Sequence, residues 1–225
     1  LLGRQCRADV RQLLRAVFVQ ELLRLRVDGE DRARIHREDL LELGLAYEQR
    51  DFTMEELRGG ALSDVFPNAK LPALEDGDIK LAESSAIALY LGEKAGKLIP
   101  KDIGARALMH QAMALEAALV APVIGGFGIF GELGKPEGER NMQRVGELMP
   151  EAQRVAGVLG GVLGDRAYFA GDLSLADIQL WPGVSKAIQY EVFKAPPANL
   201  RAWNDRMRGL ASVKKACEGY PQYRG

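Results

Sequence analysis

The stretch with the most readable chemistry is Glu83-Ser84-Ser85, followed by Ala86-Ile87-Ala88-Leu89-Tyr90-Leu91. Apolar residues at 86, 87, 90 and 91 follow helical spacing, which places the two serines near a helix N-terminus. Free backbone N–H groups and hydroxyls there can hold a carboxylate, and Glu83 beside them can pair with an ammonium group. That combination suits one end of a zwitterion. Upstream, Leu71-Pro72-Ala73-Leu74 opens a short apolar run whose proline cannot donate to a sheet ladder. A cis Leu71–Pro72 bond would turn the Leu71 N–H and C=O outward, ready for an extended peptide ligand.

These groups need a scaffold, and the sequence supplies one. Glu75-Asp76-Gly77-Asp78 carries turn chemistry and Ile79-Lys80-Leu81 alternates, so residues 71–81 read as a β-hairpin running into a helix. The plain alternative is the same hairpin and helix with an ordinary cap and no ligand. Earlier in the chain, Val10, Leu13, Leu14, Val17, Phe18 and Leu22 form one stripe, which predicts a helix over 9–25. Residues 23–27 alternate strictly and also fit a strand ended by Asp28-Gly29. A short helix over 31–43 stopped by Gly44, a second strand over 45–52 carrying Tyr47, and an acidic helix over 53–62 follow.

After residue 91 the composition changes. Gly96, Pro100 and several lysines mark a helix stop and a linker. Beyond it helices are expected over 105–120, 137–164, 174–190, 198–210 and 212–219, with no convincing strand. The clearest start is Ser174-Leu175-Ala176-Asp177, a capping box in which Ser174 is the N-cap and Asp177 sits at N3, with Leu173 and Ile178 spaced as a hydrophobic staple. These residues are read as structural. Trp181 and Tyr190 on that helix are expected in the core. The run Pro122-Val123-Ile124-Gly125-Gly126-Phe127-Gly128-Ile129-Phe130-Gly131 fits either the wall of an apolar substrate pocket or a glycine-loosened helix end packed in the core.

Composition narrows the class. With 225 residues, 47% of them hydrophobic, the chain can bury a sizeable core in one large or two modest domains. Thirty basic against thirty-one acidic residues give a formal net charge of -1. No basic field points to nucleic acid. Cys6 and Cys217 stand at opposite ends of the chain, and His36 and His110 are the only histidines, so neither a disulfide framework nor a metal site is expected. No stretch is expected to span a bilayer, because Glu116, Pro122 and a glycine cluster interrupt the apolar run over 112–130. A soluble protein of a reducing compartment is the expectation, cytoplasmic, or organellar if a targeting segment preceded Leu1.

The hairpin and helix resemble the glutathione-binding half of the cytosolic glutathione transferases, with their pattern N-P-N-G-K-[VL]-P-x-L, D-G-[DE] and L-x-E-S-x-A-I-x-x-Y-L. The matching residues are Phe66-Pro67-Asn68-Ala69-Lys70-Leu71-Pro72-Ala73-Leu74, Asp76-Gly77-Asp78 and Leu81-Ala82-Glu83-Ser84-Ser85-Ala86-Ile87-Ala88-Leu89-Tyr90-Leu91. Residues 41–48, Leu-Glu-Leu-Gly-Leu-Ala-Tyr-Glu, resemble the family's first-helix exit, and residues 170–178 resemble its A-G-D-x-F-S-L-A-D-I signature. The resemblance implies a thioredoxin-like α/β domain over 1–93 (with 1–40 atypical), a linker over 94–103 and an all-α domain over 104–225. It implies glutathione as a substrate and a homodimer, with neither metal nor nucleotide required. The Leu71 main chain beside Pro72 would bond the cysteinyl backbone, Glu83 and Ser84 the γ-glutamyl end, and Lys70 would lie near the peptide. Arg58 would take the glycyl carboxylate.

The beginning departs from the family, whose first strand ends in a loop carrying a Tyr, Ser or Cys that activates the glutathione sulfur. In one register residues 23–27 are strand 1, and the loop that follows has no hydroxyl or thiol. In the other, residues 3–14 resemble the G-R-x-x-S-x-x-V-x-K-V-x opening of several bacterial-type members, with Arg7 in the serine's place, Cys6 beside it and an insertion near 17–38. The implied activity is attack of the glutathione thiolate on a hydrophobic electrophile. The alternatives are a transferase-like scaffold or assembly module without turnover, and a glutathione-dependent thiol oxidoreductase using Cys6.

Overall fold

The computed structural model describes residues 14–17, 42–45, 47–50, 59–60, 63 and 72–217. They fall into two compact units that divide between Ala95 and Gly96.

The first unit is built on a four-stranded sheet of order β2-β1-β3-β4, with β1 Leu14–Val17, β2 Tyr47–Arg50, β3 Ala73–Asp76 and β4 Ile79–Ala82. β1 runs parallel to β2 and antiparallel to β3, and β3 and β4 form the expected hairpin. Its two-residue turn, Gly77-Asp78, uses the left-handed conformation at Gly77 (φ 61) that tight hairpins demand. Gly44 (φ 73) stops the short helical segment at Glu42-Leu43, as its type predicts.

β1 corrects the sequence reading. Residues 14–17 lie inside the stripe that predicts a helix over 9–25, yet they are the strand between β2 and β3. Pairing on both edges satisfies their backbone, and this nonlocal ladder overrides the helical preference of Leu, Arg and Ala. Residues 23–27, the first strand of one expected register, and residues 3–13, the family-like opening of the other, lie outside the described residues. Of the expected helix over 53–62 only Gly59 and Gly60 are described, as a turn, and the Leu71–Pro72 bond lies outside the described residues.

After β4 a single residue, Glu83, separates strand from helix α1 (Ser84–Ala95). The helix buries Ile87, Ala88, Leu91 and Gly92, and Gly96 (φ 63) ends it.

The second unit is all-helical in its described residues: α2 Ile103–Leu115, a π-helical turn Glu116–Val120, α3 Ala121–Ile124, α4 Ile129–Leu133, a 3-10 turn Glu137–Glu139, α5 Met142–Leu163, α6 Leu175–Gln189, α7 Ala198–Gly209 and α8 Ala211–Ala216. Asp102 caps α2 through Ala105 N–H (2.8 Å), and Asn141 caps α5 through Arg144 N–H (2.9 Å). Trp181, Trp203, Phe169 and Phe193 anchor the core, with Phe169 edge-on to Trp203 at 5.2 Å.

Residues 122–131 form a tight reversal. Gly128 and Gly131 N–H both donate to Gly125 C=O, at 3.0 and 3.1 Å. A Cβ on Gly131 would stand 1.8 Å from the Gly126 carbonyl oxygen. Val123, Ile124, Ile129 and Phe130 are buried here while Phe127 is exposed. Two expectations need correction. Tyr190 is 41% exposed at the end of α6, edge-on to Phe130 rather than in the core. The run Ile103–Leu133 is, by length and composition, apolar enough to cross a membrane, despite Glu116, Pro122 and the glycines. Its apolarity serves the bundle, because Met109, Ala112, Met113, Val120, Val123 and Ile124 are buried in it.

Candidate functional site

The hairpin register determines what can meet at its open end. Ala73 pairs with Ala82 across β3 and β4. The residues one step beyond, Pro72 and Glu83, therefore flank the same end of the hairpin, with Ser84 opening α1 beside them. Pro72 is buried and Glu83 exposed. Glu83 holds φ 68, a left-handed conformation that a non-glycine residue adopts only when its surroundings impose it. The consequence is a one-residue corner. Ile87 N–H donates to Glu83 C=O (3.0 Å), so α1 begins at once and the amides of its first turn face the hairpin's open end. No acidic side chain occupies that first turn. The helix therefore brings no acidic side chain of its own first turn to its positive end.

The opposite end of the hairpin is tied to the same helix. Tyr90 O–H donates to Asp76 Oδ2 at 2.6 Å, and Lys94 Nζ donates to the same oxygen. Burial alone would raise the Asp76 carboxyl, but the two hydrogen bonds and the Lys94 charge outweigh it and hold the group below its usual range. The Tyr90 hydroxyl is pushed up to about 12, chiefly by its bond to that carboxylate and secondarily by burial. The sequence reading missed this cluster. Its signal was an Asp before the turn glycine combined with Tyr and Lys four apart on the following helix.

In the helical unit the capping box is present as expected, and Asp177 does more than cap. Its fully buried carboxylate accepts from Phe169 N–H (3.0 Å), Ser174 N–H (3.0 Å), Ser174 Oγ–H (2.9 Å) and Trp203 Nε1–H (2.9 Å). It pins the 168–172 loop, the start of α6 and the middle of α7 to one point. Burial nonetheless pushes its carboxyl up, against the lowering effect of those donors. Glu116, in the π-turn, is raised to about 7 by burial.

Of the sequence-derived site residues, the structure brings together Pro72, Glu83 and Ser84. Arg58, Lys70, Leu71, Cys6 and Arg7 lie outside the described residues. Cys6 and Arg7 precede β1 in the chain, whereas a sulfur-activating group is expected after the first strand. Residues 18–41, which follow β1, contain no Ser, Thr, Tyr or Cys. Among the described residues, no three His, Cys, Asp or Glu cluster as metal ligands would.

Comparison with known proteins decides the family. Residues 33–98 match the family model for the glutathione S-transferase N-terminal domain. Glutathione S-transferase theta-2 of Rattus norvegicus is 30% identical over 195 residues, covering 79% of this chain and 76% of that protein. The chain belongs to the glutathione S-transferase superfamily. Among its relatives, disulfide-bond oxidoreductase YghU of Escherichia coli is 31% identical over 187 residues, which is 78% of this chain and 63% of that protein. The match thus spans somewhat less than two thirds of that relative's length. A glutathione transferase from Pseudomonas putida, solved with one glutathione disulfide bound per subunit, superposes with a TM-score of 0.74 at 21% identity over 93% of this chain and 92% of that one. The transferase fold is therefore established: a thioredoxin-like α/β unit followed by an all-helical one. The family match begins at residue 33, which leaves Cys6, Arg7 and β1 outside it.

Proposed function

We propose that this transferase-superfamily member binds glutathione at the open end of the β3–β4 hairpin and delivers its thiolate to a hydrophobic electrophile. The observation carrying this reading is the Ala73–Ala82 register, which puts Pro72 and the Glu83-Ser84 corner side by side at the start of an α-helix whose first turn, from Ser84 onward, holds no acidic residue. The γ-glutamyl carboxylate would sit on the first-turn amides and the Ser84 hydroxyl, and its ammonium on Glu83. Leu71 main chain, Lys70 and Arg58 would hold the remaining peptide and the glycyl carboxylate. In this reading residues 1–93 form the glutathione domain, 94–103 the linker and 104–225 the electrophile-binding domain of a homodimer in the reducing cytoplasm.

Conjugation forms a carbon–sulfur bond as glutathione sulfur attacks, while the leaving group departs with the bonding pair. Glutathione's thiol must first lose its proton, and a thiol of pKa about 8.5 needs help near neutrality. The stretch after β1 offers no hydroxyl or thiol for this. That gap, with the likeness to YghU, favours a second reading: thiol–disulfide exchange in which two glutathione molecules reduce one disulfide, yielding two thiols and glutathione disulfide. Retention on immobilised glutathione followed by parallel aromatic-halide conjugation and disulfide-reduction assays separates the readings. Conjugation supports the first and reduction alone the second. Reduction lost in Cys6→Ser assigns that residue to it, and retention without either activity indicates a binding module. No retention removes all three.

A further inference from the structure

The Asp76 cluster joins two parts of unit 1 that are far apart in sequence, and its position bears on the ligand end of the hairpin. β3 and β4 span the distance between the Ala73–Ala82 pair and the Asp76–Ile79 pair. That is three residue steps, about 10 Å. α1 starts at the Ala82 end and returns toward the turn. Tyr90 stands six residue steps along the helix from Ser84, a rise of about 9 Å, so Tyr90 comes level with Asp76 and Lys94 passes beyond it.

Between β4 and α1 there is only Glu83, held at φ 68. The helix is otherwise held by Ile87, Ala88, Leu91 and Gly92. Such apolar contacts hold a helix down without fixing its direction. Two donors converging on one carboxylate oxygen are directional and charge-assisted.

We propose that Asp76, Tyr90 and Lys94 form a positioning clasp that sets the angle of α1 on the hairpin. Through that angle it fixes where the first-turn amides at Ser84 stand relative to Pro72. The clasp touches no ligand. It acts by fixing the far end of a short lever whose near end is the anion site, and a misplacement of about 1 Å there is costly to a bound group. This inference rests on the glutathione-binding reading above.

The test is calorimetric titration of glutathione, well below the unfolding midpoint, into the wild type, Tyr90→Phe, Lys94→Gln and Lys94→Arg. Both loss-of-clasp variants keep the side-chain bulk and are expected to fold. The expected result is a Kd weakened about three- to tenfold in Tyr90→Phe and Lys94→Gln, the effect of losing one modest polar contact. Lys94→Arg should restore most of the affinity. Ser174→Ala, which loses a cap in the helical unit, should lower the melting midpoint and leave Kd unchanged, separating position from stability. A Kd within twofold of wild type in both loss-of-clasp variants, or an equal loss of affinity in Ser174→Ala, overturns the clasp while leaving glutathione binding intact. No binding by the wild type overturns both.

Discussion

Asp177→Ala is the most informative stability perturbation in the helical unit. The carboxylate is fully buried and takes four donors: two backbone N–H groups, a hydroxyl and an indole N–H. Alanine leaves all four facing apolar surroundings. Each unmet buried donor costs about 1–3 kcal/mol. At the low end that is roughly 4 kcal/mol, and relief from burying a charge offsets part of it, leaving about 3 kcal/mol net. The loss is a large fraction of the 5–15 kcal/mol a typical domain possesses. It should lower the midpoint of the helical unit by roughly 10 °C. Chemical and thermal unfolding followed by circular dichroism read this directly. Trp203 fluorescence should change before any unfolding, because its indole N–H loses its acceptor. A midpoint within 2–3 °C of wild type, about what loss of a single cap would cost, refutes the view that one carboxylate ties loop 168–172, α6 and α7 together.

Ser174→Ala should cost only about 1 kcal/mol, since the other donors keep Asp177 in place; an unchanged denaturation midpoint contradicts the cap assignment. Gly131→Ala should destabilise by at least about 3 kcal/mol, because its Cβ would overlap the Gly126 carbonyl, and a well-folded variant with wild-type stability rules out the tight 125–131 reversal. Glu116 has its folded pKa raised above the unfolded value, so its contribution to stability is fully present below the ordinary carboxylate pKa and is lost as pH rises through about 7. Wild-type stability should therefore fall between pH 5 and 8 relative to Glu116→Gln, by an amount on the order of 2–3 kcal/mol; parallel pH profiles for the two proteins contradict the desolvated, half-buried carboxyl.

Legibility in the sequence followed how local each interaction is. The hairpin could be read because Gly77-Asp78 encodes its turn and Ile79-Lys80-Leu81 its alternation. α6 could be read because Ser174 and Asp177 cap within one turn, and Gly44 and Gly96 mark their helix ends by conformation alone. β1 was hidden. Leu14-Arg15-Ala16-Val17 has the composition of a helix, and only partners about 30 and 60 residues away in the chain make it a strand. The same holds for Asp177, whose capping role was visible while its bond to Trp203, 26 residues on, was not. Tyr190 follows the helical stripe of α6 yet falls at its C-cap, where burial ends. The π-turn at 116–120 left no pattern in residue types. At the candidate site, Glu83 and Ser84 stood out by type, but the left-handed corner that aims the helix end is a property of the fold.

The central claim is that the N-terminus of α1 receives glutathione's γ-glutamyl carboxylate. It is tested most directly by titrating glutathione into wild type and Ser84→Asp while recording the melting midpoint of each. An aspartate in the first turn places a fixed anion where the ligand's carboxylate would bind, and by itself favours the helix by about 0.3–1 kcal/mol. The account predicts saturable binding by wild type, and loss of binding in Ser84→Asp with an unchanged or higher midpoint. Equal affinity in both proteins, or no binding by wild type, contradicts it.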